Sequence, residues 1–350
     1  MALQGGGSHG AFTWGALDRL LEEDIEIEGI SGASAGAMNA VVMAYGYACG
    51  GREGARQSLQ KFWESVSGKA SSSFKPNETS ENGPAPGLLE LDSKTGPASS
   101  TKVFLALSRY FSPYQLNPLD INPLRDILAS QIDFERLKRE GKIALFIAAT
   151  RVSSGTLRIF RNKQLTIDTL LASACLPSIH RAIEIDGDAY WDGGLAANPP
   201  IYPLVHQCSA NDMVLVQLHP RHRPDALKKT EEIRNRLTEI SFGSSFHSEL
   251  RGLALAKHEA ERSLFPFGRV ERRLKRLKTH VIETRELMSQ LSHTSRLNTH
   301  PAFIAALRDE GRNQAELWLK EKLHQLGARS FFNALPFRAR HLSSGWFGSN

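Results

Sequence analysis

Apolar positions near the start of the chain switch between two periods. In "AFTWGALDRLLEED" (11–24), Phe12, Leu17, Leu20 and Leu21 recur at helical spacing and predict an amphipathic helix. "IEIEGIS" (25–31) alternates β-branched with polar residues and predicts a strand, while "AMNAVVMAYGYA" (37–48) is apolar enough for a buried helix. Glycines separate these segments. Gly5, Gly7 and Gly10, with Gly6 as an extra, form G-x-G-x-x-G before the first helix, and "GASAG" (32–36) joins the strand to the second helix. Loop, helix, strand, turn, helix is a βαβα beginning and implies a parallel sheet. A first strand of usual length, about 5–6 residues, should run into Gly5. Only Met1–Gln4 precede it, so the reading expects a stunted strand or a native start further upstream.

Residues 68–101 are dense in Gly, Pro, Ser and Thr and read as a long mobile loop interrupted by "GLLEL". "KIALFIAAT" (142–150) predicts a buried strand and "GTLRIFRN" (155–162) a half-exposed one. "LTIDTLLASACL" (165–176) reads as a helix stopped by Pro177. "AIEIDGDAYWDGG" (182–194) reads as a hairpin turning at Asp186-Gly187, and "MVLVQLH" (213–219) as another buried strand. From about residue 226 the pattern becomes helical and charged. Phe242, Phe246, Leu250 and Leu253 make one stripe; Val270, Leu274, Leu277, Val281, Met288 and Leu291 make a longer one. A last helix runs from Pro301 to Gly327.

The 350 residues suffice for one large domain or two ordinary ones, and 41% hydrophobic with 23% charged residues is the balance of a soluble globular protein. No apolar run approaches the roughly 18–20 residues of a membrane span, and the N-terminus lacks the parts of a signal peptide. Cys49, Cys175 and Cys208 are widely spaced, which argues against a disulfide framework or zinc site and predicts small core residues in a reducing compartment. The expected location is cytoplasmic, with peripheral contact at the inner face of the membrane. The net charge of +6 is unevenly spread: residues 1–220 hold 19 Lys and Arg against 23 Asp and Glu, and residues 221–350 hold 24 against 14. Within that basic region "RVERRLKRLKTH" (269–280) pairs an apolar stripe with Arg272, Arg273, Lys275, Arg276 and Lys278. It reads as an interfacial helix on anionic lipid, or as a helix packed on the core with its cations in water. Nucleic acid is not expected, because no stacking aromatics or recognised motif accompany the charge.

Three glycine-rich stretches carry candidate chemistry. Gly32-Ala33-Ser34-Ala35-Gly36 is G-x-S-x-G between a predicted strand and helix, the setting of a nucleophile elbow; Gly32 and Gly36 remove Cβ atoms that would crowd the serine. The bland reading is a tight turn with Ser34 capping a helix. A serine hydroxyl needs a base. Asp192, followed by Gly193 and Gly194, ends a predicted strand and would point into the crevice at the strand ends, although D-G-G also marks ordinary turns. Asp192 acting directly on Ser34 is favoured; His206 or His219 completing a Ser…Asp…His order is the alternative. The opening glycine loop brings amides close to a negative charge. That charge is either an oxyanion or a dinucleotide phosphate, with Glu26 or Glu28 about 20 residues further on for a ribose.

"GGGSHG" (5–10), "GASAG" (32–36), "LASACLPSI" (171–179) and "DGGLAANPP" (192–200), in that order, resemble the blocks of the patatin-like phospholipase family over roughly the first 220 residues. The resemblance implies a three-layer α/β/α sandwich with a mainly parallel sheet and a Ser–Asp dyad that hydrolyses acyl esters of lipids. It implies Ser34 as nucleophile, Asp192 as base, and amides of Gly5, Gly6 and Gly7 as oxyanion hole, with His9, Gly10, Gly32, Gly36, Gly193 and Gly194 as supporting positions. His9 departs from the family's usual Arg or Lys, and an imidazole there would make the loop pH-sensitive near pH 6.5. No metal or organic cofactor is needed. The expected organisation is a catalytic domain over 1–220, with 68–101 as a flexible insertion or a lid offering Leu88, Leu89 and Leu91. A basic helical extension over 221–330 and a tail over 331–350 follow. The expected substrate is a phospholipid or another acyl ester, short hydroxyacid oligomers included. The competing functions are a patatin-fold lipid-binding or scaffolding protein with little turnover and, less favoured, a dinucleotide-binding oxidoreductase.

Overall fold

A computed structural model describes residues 1–71, 87–97, 101, 103, 106–108, 110–218, 230–263, 268–283, 287–291 and 293–322. Its centre is an eight-stranded sheet: β1 (Ala2–Leu3), β2 (Gly29–Gly32), β3 (Ala144–Arg151), β4 (Leu157–Arg161), β5 (Ile183–Ile185), β6 (Asp188–Asp192), β7 (Asp212–Gln217) and β8 (Lys278–Glu283). The order is β5-β6-β3-β2-β1-β7-β8, with β4 also on β3. Strands β3, β2, β1, β7 and β8 are parallel, whereas β4, β5 and β6 pair antiparallel.

The main helices are α1 (Gly10–Leu20), α2 (Ala35–Ser71, broken at Gly50-Gly51), α3 (Ile167–Ser173), α4 (Tyr202–Gln207), α5 (Thr230–Arg262), α6 (Arg269–Arg276) and α7 (Pro301–Lys322). They cover both faces of the sheet because the strands alternate with period two. Leu3, Leu145, Ile147 and Val216 join one core with α1, α2, α3 and α7; Ala2, Phe146 and Leu215 join the other with α4, α5 and α6. This is the expected three-layer α/β/α arrangement with a mainly parallel sheet, and the described residues beyond 230 are largely helical.

The pairing of β3 decides where the candidate chemistry meets. Its first half pairs with β2, up to Gly32 opposite Ile147. Its second half pairs with β6, with Asp192 opposite Ala149. Strand β4 spans Phe146–Thr150 and so must occupy the other edge. Strands β2 and β6 therefore share one edge and run towards each other, end to end. The C-terminus of β2, which leads to Ser34, meets the C-terminus of β6, which is Asp192. The β5–β6 hairpin behind this turns at Asp186 and Gly187, both left-handed (φ 54° and 82°), as a two-residue turn compatible with strand twist requires.

Several elements differ from the sequence reading. Only Gly29–Gly32 of the predicted strand 25–31 pairs, because its partner β3 begins at Ala144, opposite Gly29; Ile25 and Ile27 still pack against the core. The stripe from Val270 to Leu291 is not one helix. It divides into α6, β8 and a short turn of helix at Leu287–Gln290, because β7 has a free edge and β8 fills it in parallel register from Lys278 to Glu283. Within 68–101, residues Leu88–Thr95 are helical, with Leu88 and Leu91 buried and Leu89 exposed; 72–86 and 98–100 lie outside the described residues. The described part of the last helix ends at Lys322, and the 331–350 tail lies outside the described residues. Of the three cysteines expected in the core, Cys175 is buried, Cys208 is half-buried and Cys49 is exposed.

Candidate active site

Ser34 stands between β2 and α2 with a left-handed backbone (φ 53°), a conformation that costs a non-glycine residue energy and marks functional turns. The surrounding glycines make it possible. A Cβ on Gly32 would come within 2.6 Å of the Gly36 carbonyl carbon, and one on Gly36 would strike the Leu3 carbonyl. The turn is also tied down from outside, since the Ser34 N–H reaches both the carbonyl and the hydroxyl oxygen of Ser173, 3.1 Å each, at the end of α3. The side chain is half-buried at the positive end of α2.

Asp192 is wholly buried beside it. Its Oδ1 accepts the Gly194 N–H at 2.7 Å, whereas Oδ2 makes no hydrogen bond of ordinary geometry. Burial raises the carboxyl from 3.8 to about 7, against the opposing pull of the Gly194 amide and the Ser34 hydroxyl. The acid is fixed by main-chain bonds: Asp192 N–H donates to Cys175 O (2.8 Å), and the Thr150 hydroxyl donates to Asp192 O (2.8 Å). Gly193 is required because a Cβ there would strike the Ala148 carbonyl. A Cβ on Gly194 would lie 2.7 Å from the Phe242 ring of α5.

The opening loop lies against the elbow: a Cβ on Gly5 would come within 2.6 Å of Ala33 O and 2.7 Å of Ser34 Cβ. Its three amides are not equivalent. Gly5 is buried, and its N–H donates to Asn198 Oδ1 at 2.6 Å, while Asn198 Nδ2 returns a bond to Gly5 O at 3.4 Å. That amide is occupied. Gly6 is half-exposed and Gly7 exposed, with Gly7 left-handed at φ 59°. Neighbouring Gln4 locks the arrangement, with Nε2 on Asn198 O (3.3 Å) and Oε1 accepting Leu218 N–H (2.7 Å). Buried Asn39 ties the start of α1 to α2 through Gly10 O (2.9 Å) and Ala35 O (3.0 Å), and accepts the Trp63 indole N–H (3.0 Å). Asn198, Ser173, Gln4 and Asn39 did not stand out in the sequence reading. Asn198 and Ser173 lie inside the blocks quoted there, and that was the available signal.

Other candidates fall elsewhere. His9 points away into a buried contact with Ser295 Oγ (Nε2–Oγ 2.7 Å), and burial, aided by the Arg296 charge, lowers it to about 3. It stays neutral at ordinary pH, so the titration near pH 6.5 expected of it does not arise. His206 is exposed on α4, and Cys208 just after it packs on Gly29 at the start of β2, the sheet end opposite Ser34. His219 lies outside the described residues. Glu26 and Glu28 precede β2, and Glu28 caps the Ser209 and Ala210 amides at that same far end. A ribose carboxylate has to follow β2, so the dinucleotide arrangement is not formed. Helix α6 is at the far end too, with Arg273 bonded to the Ser209 and Ala210 carbonyls. The register places it about 20 Å from the elbow along the strands. Among the described residues no group of three His, Cys, Asp or Glu side chains is placed to hold a metal ion.

A comparison with family models matches Patatin-like phospholipase over residues 1–205. The chain belongs to the patatin-like phospholipase family. Its Ser34 elbow, Asp192 turn and glycine loop all lie inside the matched span, and lipid acyl hydrolysis is the chemistry of the family. Among solved structures, VipD from Legionella pneumophila is similar at 17% identity and a TM-score of 0.41, covering 91% of this chain. The chain spans 66% of VipD's length. No curated protein sequence matches it.

Proposed function

We propose that this patatin-like protein hydrolyses acyl esters of lipids through an acyl-Ser34 intermediate, with Asp192 as the base. The carrying observation is the buried Asp192 carboxyl, whose Oδ2 makes no hydrogen bond of ordinary geometry, within the influence of the hydroxyl of a strained, half-buried Ser34. A carboxyl poised at about 7 accepts a proton near neutral pH yet is basic enough to help remove one from a serine. Asp192 takes the Ser34 proton as Oγ attacks the ester carbonyl. The tetrahedral oxyanion forms beside the glycine loop, where the amides of Gly6 and Gly7 receive it while Gly5 serves as the anchor. Such preorganised donors are each worth about 3 kcal/mol of barrier. Collapse expels the alcohol or lysolipid, protonated from Asp192. Asp192 then draws a proton from water as that water attacks the acyl-serine, and collapse breaks the acyl–Oγ bond, returns that proton from Asp192 to Ser34 Oγ and frees the acid.

The test is a panel of phospholipid, lysophospholipid and short-chain esters, run with wild type, Ser34→Ala and Asp192→Asn, together with labelling by a fluorophosphonate. Ser34→Ala should lose both turnover and label. A wild-type protein that binds lipid but neither turns over nor reacts with the probe would identify a lipid-binding scaffold instead.

A further inference from the structure

Residues beyond the family match complete the rim of the dyad. A 3-10 turn at His293–Leu297 packs on the glycine loop: Ser295 Oγ meets His9, and a Cβ on Gly7 would strike the Arg296 carbonyl. From this turn the Arg296 side chain reaches Glu239 of α5, with Nη2 3.6 Å from Oε1. Glu239 is buried, and its other oxygen accepts a hydrogen bond from Arg236 Nη1 at 3.1 Å, so one carboxylate serves two guanidiniums. Three residues on, along the same side of α5, Phe242 covers Gly194, whose amide binds Asp192. At the other end of the loop, Gly5 lies against Ser34. The contacts thus close a ring from Ser34 through the glycine loop, Arg296, Glu239 and Phe242 back to Asp192. Arg296 is the cation in that ring. Its backbone touches Gly7, so its guanidinium lies no further than one side-chain length from the loop, and its charge is felt by His9 there. The Arg296 side chain is 24% exposed and that of Arg236 31%, so both remain open to a ligand.

Building on the hydrolase reading above, we propose that Arg296, seconded by Arg236, selects acyl esters that carry a negative group, phosphate or carboxylate, close to the scissile carbonyl. A guanidinium offers N–H donors in a planar fork that fits either anion. An ester seated on Ser34, with its carbonyl oxygen at the Gly6 and Gly7 amides, brings such a group alongside the cation whose backbone packs on Gly7. The anion then shares Arg296 with Glu239, whose 3.6 Å ion pair is beyond ordinary hydrogen-bonding distance and is the contact that yields. The Arg236 bond stays in place and keeps the Glu239 carboxylate compensated. A neutral ester gains nothing from this cation.

The experiment measures binding to Ser34→Ala protein and kcat/KM in active protein for probes that share one short acyl chain. These are 1-acylglycerol 3-phosphate, the O-acyl ester of lactate, and neutral 1-acylglycerol, with inorganic phosphate as a fourth ligand for binding. Both anionic esters should bind and react at least about tenfold better than the neutral one, the size of one hydrogen bond to a charged group. Arg296→Gln should bring that ratio close to one, Arg296→Lys should keep part of it, and added salt should shrink it in the parent. A structural role for Arg296 would lower all the esters alike and leave the ratio in place. Should Arg296→Gln fail to fold, Arg236→Gln is the second variant and should lower the ratio by a smaller factor. A parent ratio of one overturns the proposal, as does a ratio that neither salt nor the folded variants change. So does inorganic phosphate binding as tightly as the acylglycerol phosphate, which assigns the cations to a free anion. If active protein turns over none of the esters while the binding ratio stands, the hydrolase reading fails and the anion selection does not.

Discussion

Two requirements conflict at Asp192, and the conflict is measurable. The proposed mechanism wants an ionised carboxylate, while complete burial favours the neutral acid, with a folded value of about 7 against 3.8 for the free side chain. The folded state then binds its proton more tightly than the unfolded chain between those values. Stability attributable to this group must fall as pH rises from about 4 to 7, and stay reduced above it. The cost is at most about 4 kcal/mol for a shift of this size. Asp192→Asn should therefore abolish turnover yet raise the melting temperature at pH 8, the gain vanishing near pH 4. A melting curve at each pH checks it, and an equal gain at both would contradict burial as the cause. For the wild type, kcat/KM should climb with pH and level off above about 7. Asn198 supplies a second residue-scale test. Its carboxamide holds Gly5 from both sides, so Asn198→Ala frees the loop whose neighbouring amides are proposed to receive the oxyanion. A displacement of about 1 Å there costs on the order of a hundredfold in kcat, and KM for a short ester should hardly move. Equal losses in kcat and folded fraction would make Asn198 merely structural.

At the scale of elements, what was legible in the sequence is what local chemistry decides. The Asp186-Gly187 turn and the G-x-S-x-G elbow each carry a left-handed residue and appear where read, whereas the glycines of the D-G-G turn are demanded by distant neighbours, Ala148 and Phe242. Strand β8 was missed because Val281, its member of the stripe, falls at helix-like spacing from Leu274 and Leu277 before it and Met288 and Leu291 after it. Its strand state is decided by the open edge of β7, more than 60 residues earlier in the chain. Asn198 was missed for the same reason, its partner Gly5 being 193 residues away. The packing of α7 on α1 was equally hidden. There, Gly15 and Gly311 face each other's helices so closely that a Cβ on Gly15 would strike the Arg308 carbonyl and one on Gly311 the Phe12 carbonyl. Around this crossing, Arg312 pairs with Asp18 and Glu22, and Arg19 with Glu316 (2.6 Å). Gly15→Ala or Gly311→Ala should separate the helices and destabilise the protein by about 1–3 kcal/mol. A lower urea midpoint with an unchanged slope would report it, and no change would mean the crossing is looser than its geometry.

For the whole molecule, the question is whether the patatin-like unit ends where its family match does. The family match stops at residue 205, before β7 begins at Asp212. Yet β7 lies beside β1, and β8 continues the sheet beyond it. Helix α7 covers α1 and supplies Phe303, Ile304, Leu307 and Trp318 to the same core as Phe12 and Leu17. The site depends on this covering as well. His9, inside the glycine loop, finds its buried partner in Ser295, Gly7 is packed against the Arg296 backbone, and Phe242 of α5 seals Gly194. A chain cut after residue 220 would expose one face of α1, the open edge of β7 and an unpartnered buried imidazole. Burying such apolar area stabilises by about 25 cal/mol per Å², and the loss of an entire helix and strand exceeds the roughly 5–15 kcal/mol by which domains are stable. Residues 1–220 alone should then lack a cooperative thermal transition, bind a hydrophobic dye and show no esterase activity, although Ser34 and Asp192 are both present. A sharp transition with full turnover in that fragment would instead make the C-terminal region a detachable extension.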